Sequence, residues 1–231
     1  MDELADCTRH LDLAQALPAA RPRHTPLHIL AIAPLAGIPA NVRNAERAAR
    51  QQAWQPLIDE GLVQIEEISP ATRASIIDAV QRKQPDIIHY YGHGRYQAGA
   101  GELLLDAPGG GKSWTGVDRL QTMFRKTRLV ALYACQGAMV GSDEQAGMLS
   151  SIAPALSAAG IPLVIGMQFT TRVTAATRVS AVIYRALAAG SSVQEAVNQA
   201  RQALYVEEDD QASWYLPALY ICSRETGPAF V

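Results

Sequence analysis

The sequence is poor in charge and has no long apolar run. Charged residues make up 18% of its 231 residues, and the formal net charge is -2. Binding to nucleic acid through its phosphates needs a basic excess, so we do not expect nucleic acid as a direct partner. The longest apolar runs, such as Leu129 to Cys135, are far shorter than the roughly 20 residues of a membrane-spanning helix. We therefore expect no membrane association.

Cysteine is also scarce. The three cysteines, Cys7, Cys135 and Cys222, form no CxxC pair and no Cys/His cluster, which argues against a disulfide framework and against a zinc site. The acidic start, MDELADC, lacks the basic flank and apolar core of a signal peptide. We expect a cytoplasmic protein without a metal, in which Cys7 and Cys222 are packing residues.

What the sequence does contain is a regular alternation of strand and helix patterns. Parallel strands joined by helical crossovers form a mainly parallel sheet with helices on both faces, so we predict an α/β fold. Residues 27–231 are the predicted domain. Residues 1–26, a helix-like piece followed by a Pro- and Arg-containing connector, are a predicted extension or linker. The predicted strands are LHILAIAPL, LVQIEEI, DIIHYYGHG, TRLVALYACQG, IPLVIGMQF and WYLPALYIC.

Three local patterns predict further details. SPATRASIIDAVQRK predicts a helix that is initiated at Ser69-Pro70. The glycine-rich ends around ELLLD predict a small hairpin or flap. Ser192 and Glu195 have the spacing of a capping box at the start of a helix.

Two predicted strands end in side chains that can do chemistry, His93 and Cys135. If these strands are neighbours, their carboxyl ends meet at one edge of the sheet. An imidazole with a pKa of about 6.5 can take the proton of a thiol with a pKa of about 8.5. Gly92 and Gly94 flank the histidine, and Gly137 follows the cysteine, which allows close approach of a substrate. The pattern favours a His/Cys dyad for acyl transfer.

The stretch around Cys135 resembles the caspase signature, Gln-Ala-Cys followed by Arg, Gln or Gly and then Gly, with a histidine about 50 residues upstream. Residues 133–137, YACQG, agree at four of five positions, and His93 lies 42 residues before the cysteine. Over roughly residues 27 to 223 the chain is similar to the CHAT branch of the caspase-like cysteine peptidases, in the clan of caspases, metacaspases and separases. The segments that carry the likeness are YYGHGRY, ELLLD, YACQGA, GSDEQAGMLSSIAPALSAAGIPLVIGMQF, VIYRALAAGSSVQEAVNQARQAL and WYLPALYI.

This resemblance implies a caspase-like three-layer sandwich with six main strands in the order 2-1-3-4-5-6, the last antiparallel. It implies that His93 and Cys135 form the dyad and that the backbone N–H groups of Gly94 and Cys135 stabilise the oxyanion. The segment after the fifth strand is expected to border the substrate pocket and to offer an edge to an extended peptide. That segment is Met167, Gln168 and Phe169.

The resemblance also implies a cysteine endopeptidase that cleaves a specific protein substrate and needs no cofactor. Family members are commonly activated by a sensor domain or a partner protein, often in bacterial defence, so we expect this chain to belong to or work with a larger assembly. Many metacaspases and paracaspases bind a basic substrate residue through an Asp two positions before the nucleophile. This chain has Tyr133 there. Tyr133 is a candidate substrate contact, but it predicts no preference for the substrate residue just before the cleaved bond.

Other interpretations remain for these features. An isolated cysteine at a strand end is usually buried structure, and the chain could be a non-catalytic module that binds a peptide in the same groove. A flavodoxin-like ligand-binding domain would also explain the alternation. GGGKS does not complete a phosphate-binding loop, because the template needs glycine where the chain has Asp106. His89 shares a strand face with Tyr91 and is predicted to be structural.

Overall fold

The computed structural model describes residues 8–10, 26–97, 100–134, 146–167, 173–207 and 216–222. The strands are β1 (Thr8–His10), β2 (Leu27–Ile32), β3 (Val63–Ile68), β4 (Ile87–Gly92), β5 (Gly94–Gln97), β6 (Ala100–Asp106), β7 (Lys112–Gly116), β8 (Leu129–Ala134), β9 (Leu163–Met167) and β10 (Pro217–Ile221). The helices are α1 (Ala40–Asp59), α2 (Arg73–Lys83), α3 (Val117–Phe124), α4 (Ala146–Ala158), α5 (Val173–Ala188) and α6 (Val193–Glu207).

The main sheet has seven strands in the order β1-β10-β9-β8-β4-β2-β3. Its central strands are parallel, and β10 is antiparallel to β9. The fold class is therefore the predicted α/β class, and the six predicted strands lie in the predicted order with the last one antiparallel. The structure adds a seventh strand, β1, at the edge of these six.

The added strand β1 lies where a helix-like piece was predicted. Thr8, Arg9 and His10 pair in parallel with Leu219, Tyr220 and Ile221 of β10. Three residues are too few to display a period in the sequence, and the open edge of β10 supplies the backbone hydrogen bonds that decide their conformation.

Helices cover both faces of the main sheet. On one face α5 packs against both α1 and α6, and on the other α3 packs against both α2 and α4. Every residue of β4 is buried, as are Leu129 to Tyr133 of β8. Strands covered on both faces are expected to be continuously apolar, so the polar side chains inside β4 require an explanation of their own.

A second sheet, with the order β5-β6-β7, follows β4 almost without a break. It confirms the hairpin predicted around ELLLD and adds a third strand. The capping box of α6 is confirmed, because Ser192 and Glu195 exchange hydrogen bonds between side chain and backbone. The predicted start of α2 was wrong: Thr72 is the N-cap and shares a capping box with Ser75, so the helix begins three residues after Pro70.

No helix within the described ranges combines the length and the apolar character needed to cross a bilayer.

Candidate active site

The carboxyl ends of β4 and β8 lie side by side. The two strands pair in parallel from Ile87 with Leu129 to Gly92 with Ala134. His93 follows Gly92, and Cys135 follows Ala134 in the sequence. Cys135 lies outside the described residues, as do Gly137, Gln168 and Phe169. His93 and the strand that leads to the cysteine lie within the described residues.

The backbone of His93 is fixed by two hydrogen bonds to its carbonyl oxygen. The Leu104 N–H donates to this oxygen at 2.9 Å, and the Tyr90 hydroxyl lies 2.7 Å from it and 2.9 Å from the Leu104 oxygen. The hydroxyl reaches this position by passing Gly92, where a Cβ atom would stand 2.6 Å from it. Gly92 is thus required by the close approach of Tyr90.

The imidazole of His93 is nearly enclosed, with 9% of the residue exposed. Burial lowers its pKa below the ordinary value, and the charge of Lys112 acts in the same direction. A hydrogen bond with the Gly37 backbone and the charge of Glu46 both raise the pKa, but the net shift is downward. Because the Gly37 contact favours the protonated ring, the Gly37 carbonyl is the acceptor. The imidazole is neutral at pH 7 and can accept a proton.

The loop that carries Gly37 is held by a buried carboxylate, Asp106, which sequence reasoning did not select as a functional residue. Asp106 is 4% exposed. Its Oδ1 accepts from Ala36 N–H at 2.8 Å, and its Oδ2 accepts from Leu35 N–H at 3.2 Å and from Ala71 N–H at 2.7 Å. The available signal was a charged residue directly after the apolar run Leu103 to Leu105 at the end of β6.

Gly37 fits this loop because it has no side chain. Its φ of +84° lies in the left-handed region, and a Cβ atom there would stand 2.9 Å from Leu104 Cδ2. Any other residue would strain the backbone and push the loop away from His93.

The N–H of Gly94 points away from the second sheet. Leu104 N–H donates to the His93 carbonyl, so these two residues form a hydrogen-bonded pair of the antiparallel ladder. In such a ladder the next pair, Gly94 with Leu103, does not exchange hydrogen bonds. β5 is an edge strand, so the Gly94 N–H faces outward from that edge.

His89, four residues before His93, is a core residue, as predicted. It is 2% exposed, its Nδ1 lies 2.6 Å from the Tyr184 hydroxyl, and its ring stacks on Tyr133 with centroids 4.5 Å apart. Trp54 contacts it edge-on at 4.8 Å. Burial, with a smaller contribution from the Arg50 charge, holds its pKa well below the ordinary value. This histidine stays neutral and supports packing.

Two predicted substrate contacts lie in the core. Tyr133 is fully buried and Met167 is 1% exposed. Desolvation also raises the pKa of the Tyr133 hydroxyl above its ordinary value. Both side chains face the core in the described conformation, and their contact with a substrate stays a prediction. The strand pattern explains Tyr133, because it shares a sheet face with its cross-strand neighbours His89 and Tyr91 and packs against that layer.

The other side chains that could react or bind a metal are few. Cys222 is a free, buried thiol whose pKa is raised by desolvation, which agrees with its predicted packing role. Cys7 lies outside the described residues. Within the part of the chain that is described, no three His, Cys, Asp or Glu side chains are grouped so that they could hold a metal ion.

One comparison with known proteins identifies a family for this chain. A family model described as the CHAT domain matches residues 3–225. No curated protein matches the chain. Among solved structures, the crystal structure of the Drosophila initiator caspase Dronc is similar, with 7% sequence identity, a TM-score of 0.49, and coverage of 89% of this chain and 84% of that chain. Because the family model spans nearly all of its residues, the chain belongs to the CHAT-domain family.

Proposed function

We propose that this chain is a caspase-like cysteine endopeptidase in which His93 and Cys135 form the catalytic dyad. The observation that carries the proposal is the register of β4 and β8. Gly92 pairs with Ala134, so the next residue of one strand is the histidine and the next residue of its neighbour is the cysteine. Functional groups of parallel sheets gather beyond the carboxyl ends of the strands, which is where both residues occur in the sequence.

In the proposed first step the Cys135 sulfur attacks the scissile carbonyl carbon, and the thiol proton passes to His93. The lowered pKa of His93 supports this role, because the neutral ring is the form that accepts a proton at pH 7. The C–N bond then breaks, and His93 returns the proton to the leaving amine. Water then attacks the resulting thioester while His93 takes its proton, the C–S bond breaks, and the proton returns to the Cys135 sulfur.

The Gly37 carbonyl orients the imidazole during these transfers. It accepts a hydrogen bond from the ring, which leaves the other ring nitrogen to exchange a proton with the cysteine. This arrangement corresponds to a nucleophile, a base and a third group that orients the base. Here the third group is backbone, so it can position the ring without adding a charge.

In this proposal the backbone N–H groups of Gly94 and Cys135 stabilise the oxyanion of the tetrahedral intermediate. The outward direction of the Gly94 N–H supports the first assignment. A preorganised N–H that is not used in a sheet ladder stabilises developing negative charge without rearrangement.

We also propose, from the family resemblance, that the peptidase acts on one dedicated protein substrate. In this proposal a sensor domain or partner protein activates it, with bacterial defence as the setting. Met167, Gln168 and Phe169 then form the segment along which an extended peptide pairs.

The test is to incubate the wild-type protein and the Cys135→Ala and His93→Ala variants with a proteome that includes candidate activators, and to map the new protein termini. We expect termini that appear with the wild type alone. If both variants produce the same termini, the dyad assignment is wrong. If peptides bind but no thiol-directed probe labels Cys135 in a His93-dependent manner, the chain is a peptide-binding module and not a peptidase.

A further inference from the structure

A cavity of about 210 Å³ lies beyond the carboxyl ends of β2 and β3. Its walls include Ala33 to Leu35, which follow β2, and Ser69, which follows β3, together with the first turns of α1 and Tyr91 of β4. Pockets for drug-sized ligands measure about 300–1,000 Å³, so this cavity suits a single side chain. The residues that hold His93 in place, Gly37 and Asp106, are not among those that line it.

The cavity contains a buried carboxylate without a hydrogen-bond partner. Glu46 lines it and is 3% exposed, and its Oε1 receives no hydrogen bond from any described residue. Leaving such an acceptor unsatisfied is unfavourable, because the group has lost its contact with water and gained no hydrogen bond in return. An unsatisfied buried carboxylate in a natural protein calls for an explanation, and a donor supplied by a bound group is one.

Most of the other charges at the cavity are already engaged. Arg47 and Arg50 both donate to Glu67, at 2.5 Å and 3.1 Å, and the Arg50 guanidinium also lies 4.6 Å from the centre of the Tyr91 ring. Both carboxylate oxygens of Glu67 therefore already have an arginine partner. These groups fix the wall of the cavity.

Arg43 is the cation that remains to interact with a ligand. Its Nη1 lies 2.9 Å from the Leu35 oxygen and 2.7 Å from the Ile38 oxygen, both acceptors. Within the described residues this leaves Nε and Nη2 without a hydrogen-bond acceptor, on a side chain that lines the cavity. The cavity therefore offers an acceptor, Glu46, and a donor, Arg43.

The cavity adjoins the proposed dyad. Tyr91, which lines it, is two residues before His93 in the chain. The charge of Glu46 is close enough to raise the pKa of His93. The cavity therefore lies near the residues that would cleave the peptide bond.

We infer that this cavity binds the carboxamide side chain of a Gln or Asn residue of the substrate, on the acyl side of the cleaved bond; the assignment to a substrate rests on the proposed function. The amide NH₂ donates to Glu46, and the amide oxygen accepts from Arg43. A lysine or arginine side chain would meet three guanidinium groups, and an aspartate or glutamate side chain would meet the unpartnered Glu46. A neutral group with both a donor and an acceptor avoids both repulsions.

Binding is tested first, because it needs no activity. The Cys135→Ala protein, labelled with ¹⁵N, is titrated with N-acetyl methylamides of glutamine, glutamate, leucine and lysine. We expect the glutamine compound to shift the amide signals of α1 around Glu46 and to bind about 10- to 100-fold tighter than the glutamate compound, since charge-assisted hydrogen bonds have that strength. The Glu46→Gln variant should reduce this ratio to near one. The matched control is Glu66→Gln, the same change on β3 in a residue that pairs with Lys83 at 3.3 Å.

Cleavage is tested second, with a peptide library scanned over all residues on the acyl side. We expect a preference for Gln or Asn that Glu46→Gln removes and Glu66→Gln retains. The ratio for Gln and Glu peptides within one variant cancels any effect of Glu46 on His93. If cleavage depends on Cys135 and His93 but this ratio is unchanged in Glu46→Gln, the inference is wrong and the proposed function stands.

Three other results would overturn the inference. Tighter binding of the lysine compound, lost in Glu46→Gln, would make the cavity a cation site. Tighter binding of the glutamate compound would make it an anion site. If none of the four compounds shifts signals near Glu46, the cavity holds only water. Glu46-dependent binding without any Cys135-dependent cleavage would support the inference for the binding site and contradict the peptidase function.

Discussion

The interior of β4 and the position just beyond its end hold two histidines with different surroundings. His89 is enclosed by the rings of Trp54 and Tyr133 and by the Tyr184 hydroxyl. His93 faces the Gly37 backbone and lies near charges of both signs. Burial lowers the pKa of both, but only His93 has contacts that oppose the shift. The two histidines are only four residues apart, yet the ring of His89 packs in the core and the ring of His93 can exchange a proton.

We therefore expect the residues around His89 to contribute to stability and those around His93 to contribute to catalysis. Changes in the aromatic layer around His89 should lower the free energy of unfolding, whereas changes around His93 should lower catalytic rates more than stability. The following substitutions test that division, from the largest expected effect to the smallest.

Replacing His93 by Ala should lower kcat/KM by about 10³-fold or more, because a positioned general acid–base contributes about 10²–10⁴-fold. The measurement uses a peptide derived from a mapped cleavage site. His89→Phe is the matched control, since it removes a histidine from the same strand but keeps an aromatic ring. It should retain most of kcat/KM, and an equal loss in both variants would contradict the division.

Replacing Trp54 by Ala should lower the free energy of unfolding by about 3–5 kcal/mol, because it removes a large buried ring from the His89 layer. Trp54→Phe should cost less, since it removes mainly the hydrogen bond from Nε1 to the Ser180 hydroxyl, 2.9 Å long. Urea denaturation measures both. Folded Trp54→Ala protein, checked by circular dichroism, should keep kcat/KM within a few-fold, and a loss as large as that of His93→Ala would contradict the account.

Replacing Asp106 by Asn should cost about 1–3 kcal/mol of stability, because three backbone N–H groups share the carboxylate and the amide of Asn cannot accept as many bonds. It should also lower the pKa of His93, since the loosened loop weakens the Gly37 contact that raises it. Denaturation and an NMR titration of the imidazole give the two values. Asp118→Asn, an exposed change in the first turn of α3, is the control. An unchanged His93 titration in Asp106→Asn would show that Asp106 has no positioning role.

Lowering the pH should destabilise the protein through His89. Its pKa is lowered in the fold, so below the ordinary value of about 6.5 the unfolded chain takes up a proton that the folded chain does not. Stability is therefore complete above pH 6.5 and falls below it, by up to about 1.4 kcal/mol per pH unit for one group. His89→Phe should flatten this dependence and His28→Gln, at an exposed site of β2, should not. The same slope in all three proteins would place the acid sensitivity elsewhere.

The smallest expected effect is that of Lys112→Gln. The Lys112 charge lowers the pKa of His93, so its removal should raise that pKa by less than about one unit. The acid limb of the kcat/KM profile should move to higher pH by the same amount. Lys83→Gln, which removes a lysine paired with Glu66, should leave the limb in place. A shift to lower pH in Lys112→Gln would contradict the electrostatic account of His93.

The alternation of strands and helices, and with it the α/β class, could be predicted from the sequence, because apolar runs and helical periods alternate over most of the chain. The family resemblance supplied the strand order, and the position of His93 at the end of β4 followed from the run before it. The strand Thr8–His10 could not be predicted, since its conformation depends on the β10 edge, more than 200 residues away in the sequence.

The residues that surround the site, such as Asp106 and Glu46, could not be predicted for a similar reason. Asp106 acts on Leu35, Ala36 and Ala71 through contacts that join distant segments, and a pattern of residue types along the chain does not encode such pairs. Glu46 reads as one more polar residue on a helix, and only the packed structure makes it a buried carboxylate at a cavity. Tyr133 is a predicted substrate contact because it lies two residues before Cys135. In the structure, the alternation of side chains along β8 places its ring in the core.

The most direct test of the dyad is the pH dependence of Cys135 alkylation by iodoacetamide, quantified by mass spectrometry of the Cys135 peptide so that Cys7 and Cys222 do not interfere. The account predicts that wild-type Cys135 reacts at pH 7 at least about tenfold faster than in His93→Ala, whose thiol should titrate near the free value of about 8.5. His89→Phe should react like the wild type. Identical profiles for the wild type and His93→Ala would contradict the claim that His93 activates Cys135.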